Sequence, residues 1–75
     1  MLREYVVIYE RGVEGEEAWG AYIPDVPGCV SAGDTLEDAR RNIKEAIHLH
    51  LAGLKSEGLP VPEPTTMVDK VSVTA

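Results

Sequence analysis

The chain has 75 residues, a mass of 8.2 kDa and a formal net charge of −6, which limits it to one small domain spanning residues 1–75. With 44% hydrophobic and 27% charged residues it has a globular rather than disordered composition. The acidic balance argues against direct nucleic-acid binding and permits a basic partner. The single cysteine, Cys29, excludes an internal disulfide and a multi-thiolate zinc site. No apolar run approaches the roughly 20 residues of a membrane span, and the N-terminus carries no signal-peptide pattern. These features predict a reduced, cytoplasmic setting. The absence of Gln, with Asn42 as the only Asn, points weakly to a thermophilic source.

Residues 3–9 are β-branched and aromatic and predict a first strand. Residues 10–18, with two Gly and four Glu, predict an acidic hairpin loop. Residues 19–23 predict a second strand. Pro24-Asp25-Val26-Pro27-Gly28 predicts a turn, in which Pro sets φ near about −65° and Gly28 supplies a positive φ. Residues 29–32 predict a short third strand.

Thr35 is a good helix N-cap, with Asp38 three residues on as a partial capping box. Leu36, Ala39, Ile43, Ala46, Ile47, His50, Leu51 and Leu54 share one helical stripe. Glu37 and Asp38 in the first turn and Lys55 in the last complement the helix dipole. Gly58 is placed to end the helix in a left-handed conformation. A helix over about residues 36–56 follows. Pro60, Pro62 and Pro64 then force an extended connection. Residues 66–74 predict a last strand, with Val71 and Val73 alternating against Lys70 and Ser72.

The order β-β-β-α-β predicts an α+β fold with a right-handed return of the last strand. One helix covers one sheet face only. The first strand carries Val6 and Ile8 on one face and Tyr5, Val7 and Tyr9 on the other. A partner chain is the simplest cover for the second face, and a homo-oligomer, most simply a dimer, is expected.

Tyr22-Ile-Pro-Asp-Val-Pro-Gly28, then Gly33-Asp-Thr-Leu-Glu-Asp-Ala39, then Asn42, Glu45 and Ala46 follow one another in an order and spacing that resembles the HicB antitoxin family. The Gly-Leu-Pro-Val-Pro-Glu-Pro run ending at Pro64 belongs to the same pattern, and the resemblance covers about residues 3–73. It implies a partial ribonuclease H-like fold: a four-stranded mixed sheet of order 3-2-1-4 with one long helix on one face. It implies no nuclease activity. It implies a small toxin partner of the HicA type, a ribonuclease with a double-stranded-RNA-binding fold and a catalytic histidine, whose active site the antitoxin covers. Many relatives carry a C-terminal DNA-binding domain; the chain, stopping at Ala75, reads as a short form without one. Asp25, Pro27, Gly28, Gly33, Asp34 and Thr35 read as fold-making residues of the turn and helix start.

The remaining polar residues offer little catalytic chemistry. Glu4 and Glu10 stand six positions apart on one strand, roughly 20 Å, too far to share the two metal ions about 4 Å apart of a ribonuclease H-type centre. Asp69 is the one interior acid of the last strand. His48 and His50 diverge by about 200° around the helix and cannot chelate one ion. Cys29 reads as a buried thiol. No catalytic residue, metal ligand or cofactor is expected. Glu14, Glu16 and Glu17 read either as a solvated loop or as a patch steering a basic partner. Tyr5, Tyr9 and Tyr22 read either as core or as a protein interface on one sheet face. Two alternatives remain from the residues alone: an RNA-binding or residual nuclease domain, and a solitary self-associating domain without a toxin.

Overall fold

The computed structural model describes residues 2–12 and 17–75. Three short strands form an antiparallel meander in the order β1-β2-β3: β1 (Ile8–Arg11), β2 (Trp19–Tyr22) and β3 (Val30–Gly33). One long helix, α1 (Leu36–Ser56), packs on one face. Among the described residues no helix is long and apolar enough to cross a membrane.

The ladders are shorter than the β-branched runs. Tyr22 is the last residue of β2 to pair, opposite Ile8, because the next residues enter a double turn. The Val26 amide donates to the Ile23 carbonyl at 3.1 Å and the Cys29 amide to the Val26 carbonyl at 3.0 Å. Pro24 and Pro27 take the second positions of these turns, and Gly28 carries φ 84°, as a type II turn requires. Cys29 spends its amide on the turn, so β3 starts at Val30 rather than at Cys29. The turn also feeds the core: Val26 and Cys29 are buried beside Ala21, Ile23, Ala39 and Ile43.

The helix matches its sequence signals closely. The Thr35 hydroxyl accepts from the Asp38 amide at 3.1 Å. At the other end the Leu59 amide donates to the Leu54 carbonyl at 2.8 Å and the Gly58 amide to the Lys55 carbonyl at 3.1 Å, with Gly58 at φ 71°. These are the two bonds of a Schellman motif. Ala39 and Ile43 are fully buried, and every other residue of the predicted stripe is half-buried.

α1 lies mainly over β3, less over β2, and barely over β1. Gly33 is the reason. An added side chain there would stand 2.5 Å from the Ala39 amide nitrogen, so only glycine lets the first helical turn close on β3. Asn42 adds a second tie, donating to the Ala32 carbonyl at 2.8 Å.

Residues 66–74 do not form the fourth strand expected of them, and the mixed sheet of order 3-2-1-4 is, within one chain, a three-stranded antiparallel sheet. The connection before them decides this. Prolines cannot donate to a ladder, and Pro60, Pro62 and Pro64 leave carbonyls that side chains collect instead. Arg3 donates to the carbonyls of Val61 and Pro62, each at 3.1 Å, and pairs with Glu63 at 3.2 Å. The Tyr5 hydroxyl donates to the Pro62 carbonyl at 2.6 Å. Asp25 then takes hold of the chain three residues later. The segment therefore crosses from the start of the first strand to the β2–β3 turn, instead of running along β1.

Candidate partner-binding surface

Strand alternation separates the three tyrosines. Tyr5, Val7 and Tyr9 pack on the core with Trp19, Ala21 and Ile23, under the helix side. Arg40 of α1 stands over the Tyr9 ring at 5.8 Å, a cation–π distance. Tyr22 points to the other face. The single tyrosine face that the sequence allowed is therefore not formed, because residues 5 and 9 share one parity and Tyr22 pairs with Ile8 of the other.

That second face has no helix over it among the described residues. Ile8, Tyr22 and Val30 form one cross-strand row, through the pairs Ile8–Tyr22 and Tyr22–Val30. Tyr22 is 36% and Val30 65% exposed. Along the first strand the same alternation runs Glu4, Val6, Ile8, Glu10, so the apolar strip ends in an exposed carboxylate on either side. Glu17 is exposed near the start of β2, whereas Glu14 and Glu16 fall outside the described residues. The surface is thus apolar in its middle and acidic at its ends.

Asp25 shapes more than its turn. Its carboxylate accepts four hydrogen bonds: the Thr65 and Thr66 amides at 3.0 and 2.9 Å on Oδ2, and their hydroxyls at 3.0 and 2.8 Å on Oδ1. All of a carboxylate's acceptor sites are used. The sequence signal was an Asp in the turn and a Thr-Thr pair after the prolines, but a separation of 40 positions hid the pairing. The Thr66 amide first, then its hydroxyl and the Thr65 donors, hold the Asp25 carboxyl below the usual carboxylate range, while burial opposes them. The folded-state pKa lies below the unfolded one, so this anchor's contribution is complete above the unfolded value. It is lost as the pH falls through the lower folded value. The Thr66 amide proton shift is expected to titrate with a midpoint below 3.8. In Asp25→Ala that shift should stay near the parent's low-pH position and should not titrate, and NMR in the two chains checks both points.

The other predicted residues have structural surroundings. Pro27 and Gly28 form the type II turn. Gly33 admits the helix, Thr35 caps it, and Asp34 is exposed just before the cap. Burial pushes the Cys29 thiol up. Glu4, Glu10 and Asp69 are exposed, and among the described residues no three His, Cys, Asp or Glu side chains converge in a metal-binding group.

A family profile described as the HicB-like antitoxin of bacterial toxin-antitoxin systems matches residues 5–74. The chain belongs to the HicB-like antitoxin family. A UPF0150 protein of Synechocystis is 39% identical over 72 residues, which is 96% of this chain and 89% of that protein. An uncharacterised 14.9 kDa protein of Haemophilus phage HP1 is 51% identical over 41 residues, covering 55% of this chain but only 31% of the phage protein. The matched stretch is thus part of a longer chain there. Among solved structures, a chain of a HicA3 and HicB3 toxin-antitoxin complex matches with a TM-score of 0.68 and 35% identity, covering 84% of this chain and 70% of that one. The three-stranded sheet, long helix and uncovered face are accordingly described on a HicB-like antitoxin.

Proposed function

We propose that this HicB-like chain neutralises a small basic ribonuclease toxin of the HicA type by covering its active site. The reading is carried by its likeness to a chain of the HicA3 and HicB3 complex. The uncovered Ile8–Tyr22–Val30 row is the kind of surface that such a partner needs. A ribonuclease must present Lys and Arg to its substrate, and an acidic inhibitor competes for those groups and gains association rate from the long-range field. Glu14, Glu16 and Glu17 supply steering charge, and Tyr22 supplies the central anchor, as Tyr does in many protein interfaces. Tyr5 and Tyr9, packed on the helix side, lie on the face opposite this surface. The activity requires no cofactor and no catalytic group of this chain.

The test is inhibition of RNA cleavage by a purified HicA-type toxin, with binding measured by calorimetry. Stoichiometric inhibition is expected, and Tyr22→Ala should weaken binding at least about 30-fold, the equivalent of a 2 kcal/mol hot spot. Tyr22 lies on the exposed face, so helix content should not change. Binding without inhibition would refute the covered active site. No binding at all would remove the toxin reading.

A further inference from the structure

Because α1 is drawn toward β3, the helix-side face of β1 is only half covered. Between Tyr5, Val7 and Tyr9 on the strand and Ile43, Ile47 and Leu51 on the helix lies an apolar cleft of about 280 Å³. Small-molecule sites run about 300–1,000 Å³, so this cleft is sized for a few side chains. Next to it the outer edge of β1 has no strand partner among the described residues.

The same chain carries a C-terminal segment, residues 67–75, that is exposed throughout. Met67, Val68, Val71 and Val73 are 93%, 68%, 82% and 79% exposed. The molecule measures 47 × 27 × 17 Å with a radius of gyration of 14.3 Å, against about 11 Å for a compact chain of this length. The launch point is fixed: Asp25 holds Thr65 and Thr66 by four hydrogen bonds. Those bonds fix the start of the segment at the β2–β3 turn, and the segment does not pair with its own β1. The outcome is one strand-forming arm and one unfilled strand position in every copy.

We propose that residues 67–73 form a strand on the β1 edge of a second copy, with Val71 and Val73 seated in its cleft, and that the second copy returns its own arm in the same way. Seven residues from Met67 to Val73 match the seven from Tyr5 to Arg11, a span of about 23 Å at 3.3 Å per residue. Alternation puts Met67, Asp69, Val71 and Val73 on one side of the arm. The apolar pair meets the apolar cleft, and Asp69 meets its rim, which carries Lys44 and His48. One donor and one acceptor per chain close the exchange as a twofold dimer. Exchange also removes an open edge and turns three exposed apolar side chains, Met67, Val71 and Val73, toward the partner's helix side. It restores the order 3-2-1-4 with the fourth strand supplied in trans, and it does not depend on the toxin reading.

The full chain mixed from isotopically labelled and unlabelled copies tests this. Sedimentation equilibrium should give 16.4 kDa, twice the 8.2 kDa of one chain. Isotope-filtered NMR should show contacts from Val71 and Val73 methyls of one copy to Tyr5 and Tyr9 rings of the other. Val71→Asp/Val73→Asp should raise the dimer dissociation constant at least about 100-fold, because two carboxylates would be forced into an apolar cleft. Its helix signal by circular dichroism should be unchanged, since neither valine contacts its own core. A monomer at millimolar concentration would overturn the proposal. So would arm contacts confined to one copy, arms that touch only each other, or a dimer indifferent to the double substitution.

Discussion

Gly33→Ala is expected to lower the thermal midpoint by roughly 12–24 °C, the equivalent of about 3 kcal/mol in a domain of this size. The added Cβ would stand 2.5 Å from the Ala39 amide nitrogen, 2.7 Å from the Asp38 Cβ and 2.8 Å from the Asp38 carbonyl carbon. None of these atoms can swing aside by a rotamer change. The first turn of α1 must lift from β3, which stretches the Asn42 bond to the Ala32 carbonyl and loosens Ala39 in the core. The effect comes from close approach and not from backbone conformation, because Gly33 is not among the glycines at positive φ. Thermal unfolding followed by circular dichroism at one fixed protein concentration measures it. A midpoint within about 3 °C of the parent would mean that the helix–strand spacing is slack, and the account of why α1 leaves β1 uncovered would fail with it.

Ile43→Ala is expected to cost about 3 kcal/mol, within the 2–5 kcal/mol seen for such truncations. Ile43 is 1% exposed and has one of the two largest fully buried side chains. It also borders the cleft beside β1, so the space left behind opens toward that cleft instead of forming a sealed void. That keeps the expected loss below the top of the range. Ile43→Val should cost about 1 kcal/mol. Urea unfolding should show both losses as a lower midpoint at unchanged slope. Equal losses for the two variants would mean that the site collapses around the shorter side chain.

Much of the architecture was legible locally. The helix bounds, its Thr35 cap, its Gly58 terminus and its apolar stripe were all written in residues within four positions of one another, where each signal acts through a single turn of backbone. The Pro24–Gly28 turn was equally local. Strand ends were harder, because a strand stops where its partner stops pairing. The Cys29 amide is claimed by the turn, and nothing in Cys29 itself reveals that. The candidate surface divides in the same way. Strand alternation set Tyr5 and Tyr9 apart from Val6 and Ile8, but the face shown by Tyr22 depended on the β1–β2 register, a property of the pair.

The sequence by itself determined the element types up to the helix end, the acidic character and the family. Periodicity, capping chemistry and proline geometry are short-range and need no knowledge of the rest of the chain. Tertiary structure alone decided the fate of residues 66–74. Their alternation reads as a strand, and a strand needs an edge within reach. Asp25, forty residues upstream, binds Thr65 and Thr66, and Gly33 draws the helix toward β3. Together they leave the arm unpaired and the outer β1 edge without a strand partner among the described residues. A pattern of alternating side chains specifies that a segment can pair, whereas the distance between anchored ends determines with which chain it does so.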